Sequence, residues 1–74
     1  MNKNAFVSIM ALHGDTRRTL AQALGVTTHT VGEKINGHSD FKQSEIKIVI
    51  DRYNLTPTQV DKIFFGVAEP WTSL

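Results

Sequence analysis

The segment from Thr16 to Gly37, TRRTLAQALGVTTHTVGEKING, constrains this chain more than any other. Leu20, Ala21, Ala23 and Leu24 give a first helix its apolar face, and Gly25 stops it. Val26 and Thr27 restart the chain. Val31 and Ile35 lie four residues apart and so share the buried edge of a second helix. Ala21 stands four residues before Gly25, where it faces the second helix; a larger side chain there would push the two helices apart. Glycine adopts the left-handed conformation that follows a helix at little cost, which suits Gly25. Val26 plugs the corner, and Thr27 is a natural N-cap for the second helix. Asn36 and Gly37 end that helix, again with a glycine at the stop. Thr28, His29, Gly32 and Glu33 are left pointing away from the body of the domain.

The rest of the chain fits around these two helices. Its 74 residues make one small domain with a modest core, a size at which many domains dimerise. Hydrophobic content of 41% is ordinary for a globular protein. There are no cysteines, which excludes disulfides and thiol chemistry and is compatible with a reducing cytoplasm. No apolar run is long enough to span a membrane. The opening MNKNAFVSIMALHGD has the lysine and apolar stretch of a weak signal peptide. Its apolar part is short, however, and Asp15, Arg17 and Arg18 follow without a small-residue cleavage site, so it reads as a first helix.

The chain divides into a helical domain over 1–66 and a tail over 67–74. The first helix is expected from about Asn4 to His13, with Phe6, Ile9 and Met10 inward and Gly14 at its end. Thr16 caps the second helix, which reaches Leu24, and the third covers about Thr28 to Asn36. A loop over Gly37 to Asp40 leads to a fourth helix ending near Tyr53. Its Ile46, Val49, Ile50 and Tyr53 recur at amphipathic spacing. Asn54 suits a left-handed stop. Thr56-Pro57-Thr58-Gln59 is a strong start signal, with an N-cap, a proline at the first helical position and a capping-box glutamine. The fifth helix turns Val60, Ile63 and Phe64 inward and ends near Gly66. The tail VAEPWTSL has a proline and no period, so it is expected extended or disordered. No segment alternates as a strand would. The expected fold is all-α, five helices around one core that includes Ala21, Leu24, Val31, Ile35, Ile46, Val49, Ile50, Ile63 and one of Phe64 or Phe65.

A short helix, a glycine-containing turn and a second helix with small polar side chains outward is how a helix-turn-helix is built. That motif places its second helix in the DNA major groove. The segment LAQALGVTTHTVGEKING resembles the Cro/cI-type, lambda-repressor-like regulators of temperate phages. The run VGEKINGHSDFKQSEI, a following helix and the ending Ile63-Phe64-Phe65 resemble the version found among phage regulators of Gram-positive bacteria. The likeness covers about residues 4 to 65. It implies a compact five-helix DNA-binding domain. Its members include repressors, Cro-like antagonists and small modulators that bind a repressor protein. Where the broader family has an apolar residue three after Val31, this chain has Lys34, which makes Lys34 a surface or DNA-backbone-contacting residue.

The resemblance implies that Thr28, His29 and Glu33 read base edges, with Thr30 beside them contacting base or backbone. Threonine can bond a base edge or touch a thymine methyl, and a glutamate can accept from the cytosine N4 amino group. One of Thr27 and Thr28 caps the helix. Arg17, Thr27, Lys34, Asn36 and Lys42 are the phosphate candidates, and Arg17 has the additional help of the N–H groups at its helix end. Such contacts position a protein without reading sequence. Net charge is only +1, weaker than most nucleic-acid binders concentrate on one face.

Phe64 and Phe65 are adjacent and cannot both face one core. Phe65 and Trp71 are therefore candidates for a protein interface, where aromatics are enriched. His13, His29 and His38 sit in no metal-ligand spacing, and Ser8, Ser39 and Ser44 in no nucleophile elbow. No glycine loop cradles a phosphate. An enzyme, a metal or a cofactor is not expected. The expected partner is double-stranded operator DNA, bound by a homodimer in the cytoplasm of a bacterial host. The alternative is a modulator or antirepressor that binds a phage repressor and controls the lysis–lysogeny switch.

Overall fold

The computed structural model describes residues 1–65. Helix α1 covers Lys3–Leu12, α2 Arg17–Leu24, α3 Thr28–Ile35, α4 Gln43–Tyr53 and α5 Pro57–Phe64. Among the described residues there is no strand. The expected tail over 67–74, with Trp71, lies outside the described residues.

Local chemistry sets each boundary. Asn2 starts α1, its Oδ1 accepting from the Ala5 N–H at 3.1 Å. Thr16 and Thr19 exchange hydrogen bonds across the first turn of α2, each side chain accepting from the other residue's backbone N–H. Thr56 and Gln59 do the same for α5, with Pro57 just inside the helix. At the start of α4, Glu45 Oε1 accepts from the Lys42 N–H at 2.7 Å. Asn54 ends α4 in the left-handed conformation.

The core is built from Phe6, Met10, Leu20, Ala21, Val31, Ile35, Val49, Tyr53, Leu55 and Ile63, all buried. Ile9, Leu24, Ile50, Val60 and Phe64 pack around its rim, half-buried. Leu24 and Ile50 are thus rim residues, and Ile46 is half-buried without joining the core, rather than the central ones their spacing suggested; Tyr53 and Leu55, on either side of the Asn54 stop, are buried instead. Phe6, Phe41 and Phe64 form an aromatic triangle: Phe6 stacks on Phe41 at 5.1 Å, and Phe64 meets both edge-on at 5.9 and 5.7 Å. Such pairs add about 0.5–1.5 kcal/mol each beyond the area they bury. The Asn2 N–H donates to the Ile63 carbonyl at 2.7 Å, tying the start of α1 to α5. No described helix is long and apolar enough to cross a membrane.

Candidate functional site

Helices α2 and α3 make the most extensive helix–helix contact. The turn between them explains how. Gly25 sits at φ +72°, and the Val26 N–H donates back to the Ala21 carbonyl at 3.0 Å. Thr27 then caps α3, accepting from the Thr30 N–H at 3.1 Å. Ala21 is only 2% exposed, so the methyl group is about as much as this contact admits.

With Val31, Lys34 and Ile35 turned inward, α3 leaves its other face outside. A shallow depression there is lined by Arg17, Thr28, His29, Gly32, Asn36 and His38, together with Glu33. Arg17 reaches it from the first turn of α2: a Cβ added at Gly32 would lie 3.7 Å from Arg17 Nη1. The guanidinium thus lies at van der Waals distance from the Gly32 position of α3. Thr28 and His29 are exposed on this face.

Glu33 lies between two histidines on this surface. Its Oε1 lies 3.2 Å from His29 Nε2, one helical turn back. Its Oε2 lies 2.8 Å from His38 Nδ1, which belongs to the loop after the helix. The backbone brings His38 there. Gly37 takes φ +84°, its N–H donates to the Lys34 carbonyl at 3.2 Å, and the His38 N–H donates to the Glu33 carbonyl at 2.9 Å. That pair of bonds is the Schellman closure of a helix, which needs a residue tolerant of positive φ. The Asn36-Gly37 stop therefore does more than end α3; it folds His38 back onto Glu33. His38 was not among the residues singled out from the sequence, although the stop that positions it was.

Lys34 corrects the expectation of a surface or phosphate-contacting lysine. It is 6% exposed, and its Nζ donates to Glu45 Oε1 at 2.8 Å and to the Asp40 carbonyl at 2.9 Å, 5.8 Å from the Phe41 ring centre. The helical phase is the cause. Positions 31, 34 and 35 stand at i, i+3 and i+4, one continuous face, so Lys34 points inward with its neighbours. Burial alone pushes the Glu45 carboxyl up. The hydrogen bond and charge of Lys34 and the Lys42 N–H outweigh it and hold the group below the usual carboxylate range.

The other predicted positions divide. Asn36 joins the depression, whereas Thr30 is half-buried with its hydroxyl 2.9 Å from that of Thr27. Lys42 is exposed at the start of α4, outside the depression. Phe65 is 64% exposed and borders a cleft of about 340 Å³ with Met1, Phe41, Ile46 and Phe64.

Asp15, which has no partner legible in sequence, is the hub of a second network. Arg52 clamps it with Nε and Nη2 at 2.6 and 2.7 Å, Thr19 donates at 2.7 Å, and the Tyr53 hydroxyl donates as well. The Arg52 hydrogen bonds lead in holding its carboxyl far below the usual range, while burial, then Asp15, push Tyr53 up. This network joins the start of α2 to the end of α4 and so steadies the helix that carries Arg17. Among the described residues no group of three His, Asp or Glu side chains is arranged to hold a metal ion. No protein family, curated protein or solved structure matches this chain.

Proposed function

We propose that α2, the Gly25 turn and α3 form a helix-turn-helix of the Cro/cI type, and that the chain is a sequence-specific DNA-binding regulator. What carries the reading is the depression itself: one cation from the first turn of α2 lies beside an exposed, polar outer face of α3. In this reading α3 enters the major groove, where Thr28, His29 and Glu33 meet base edges. Arg17 and Asn36 grip phosphate, with Thr27 and Lys42 further along the backbone. The role is one of binding rather than catalysis. One short helix reads few base pairs, so the operator-bound form is a homodimer on a palindromic site, in the cytoplasm of a bacterial host.

A gel-shift titration against the DNA flanking the chain's own gene, with and without any neighbouring repressor, tests this. Because Lys34 is buried, few cations face the backbone, and log K should fall shallowly with log salt, by about 0.9 per phosphate neutralised. Arg17→Ala should weaken all duplexes alike and reduce that slope by about one, whereas His29→Ala should erode discrimination between operator and random DNA. Absence of any sequence preference at low salt would sink the proposal. The exposed Phe65 ring favours the second reading, a modulator that docks on a phage repressor through the α5 end. A stable complex with that repressor, without operator preference, would establish it in place of the first.

A further inference from the structure

We propose that Glu33 reads a cytosine, and that His38 is the residue that positions it to do so. The inference rests on the DNA-binding reading and names what the outer face of α3 recognises. A carboxylate on a DNA-facing surface is a liability beside phosphates unless it has a donor to meet. In the major groove the donors are the cytosine N4 and adenine N6 amino groups, and a carboxylate pairs with the former. An ionised carboxylate offers about four acceptor sites. Here His29 Nε2 lies 3.2 Å from one oxygen and His38 Nδ1 2.8 Å from the other. The side chain keeps 36% of its surface exposed, so the remaining sites face outward. The carboxylate is oriented before any ligand arrives, and ordering it costs little at the moment of binding.

His38 and His29 differ in how they hold it. His29 stands on the same helix face and is 84% exposed, free to swing toward a base of its own. His38 is tied to the same residue by its backbone, the N–H donating to the Glu33 carbonyl at 2.9 Å, and this brings its ring Nδ1 to 2.8 Å from the Glu33 carboxylate. It approaches from outside the helix, across the Gly37 turn, and fixes the carboxylate from the side that α3 itself cannot reach. Arg17, in the same depression, offsets the negative charge that Glu33 would bring toward phosphate. His38 is thus a positioning residue, and Glu33 the group that touches the base.

The test is selection from a pool of random duplexes with the full chain, followed by sequencing of the bound fraction. Wild type should enrich cytosine at one position per half-site, by about tenfold over the other bases, as expected for one specific base contact. Glu33→Gln should move that preference to adenine, which a glutamine amide pairs in bidentate fashion. His38→Ala should flatten the cytosine preference while leaving preferences elsewhere in the site intact, and His38→Asn, whose amide nitrogen can replace Nδ1, should restore much of it. A cytosine preference that survives Glu33→Gln or His38→Ala overturns this inference alone. A pool from which nothing is enriched overturns the DNA-binding reading, and this inference with it. Circular-dichroism melts of each variant at the parent's temperature separate a lost contact from a lost fold.

Discussion

Glu33 and Lys34 are consecutive residues of one helix, and each is paired with a group of opposite chemistry, yet the two pairs do different things. Lys34 meets Glu45 inside the molecule, at 6% and 7% side-chain exposure. Glu33 meets two histidines on the surface. One residue along a helix is a rotation of about 100°, enough to move a side chain from core to solvent. The inner pair is buried: Lys34 Nζ donates to Glu45 Oε1 and to the Asp40 carbonyl, and the same oxygen accepts from the Lys42 N–H, which locks α3 to α4. The outer pair keeps acceptor capacity and solvent access. Pairing alone does not mark a functional charge. Exposure does.

The comparison can be broken most forcefully at Glu45. Removing it strands a buried ammonium, and Glu45→Ala should lower stability by about 3–5 kcal/mol in urea denaturation. Glu33→Ala should cost under about 0.5 kcal/mol, as exposed pairs do. Comparable losses at the two sites would contradict their assignment to inside and outside.

Acid should undo the interior next. The Asp15 and Glu45 carboxyls are held below their ordinary values in the folded protein. The unfolded chain therefore binds their protons first, and the stability they contribute is complete above their unfolded values and lost as pH falls through the folded ones. The melting temperature should drop steeply below about pH 4, and Asp15→Asn should make that drop shallower at the cost of a lower plateau near neutrality. A melt that is flat with pH in this range would remove both carboxylates from the interior account.

Smaller effects sharpen the outer half. Gly37→Ala places a Cβ at φ +84° and should destabilise by about 1–2 kcal/mol. It should also loosen His38 from Glu33, which NMR would register as a loss of the distinct His38 ring shifts. Replacing His29 and His38 together by alanine should change stability by less than about 0.5 kcal/mol. A larger loss would mean that the surface cluster holds the fold rather than serving a ligand.

The helices were legible because their punctuation is local. Thr16, Thr27 and Thr56 cap, Gly25 and Asn54 stop, and each does so with partners a few residues away. Two caps escaped notice although their residue types are regular in the role: Asn2 at the start of α1, and the Glu45 carboxylate that accepts from the Lys42 N–H where the N-cap itself carries no capping oxygen. Of the candidate surface, Arg17, Thr28, His29, Glu33 and Asn36 do converge on one depression, since four of them lie on α3 or its cap. Lys34 was misplaced because its charge was given more weight than its helical phase, and the counter-ion that makes burial tolerable lies 11 residues on. Asp15 and Arg52 are 37 residues apart, and nothing local announces such a pair. His38 was legible in principle: any residue just past an Asn-Gly stop returns toward the last turn of the helix it follows.

The bond from Asn2 to the Ile63 carbonyl, and the Phe64 edge that closes over Phe6, bear on how the molecule is made. A nascent chain presents α1 first and α5 last. The aromatic pocket around Phe6 stays open along one side until α5 has cleared the ribosome. The contact between α2 and α3 needs no such wait, since both helices emerge together and the turn between them is short. The outer face of α3 can therefore take shape early, while the seal over Phe6 waits for α5.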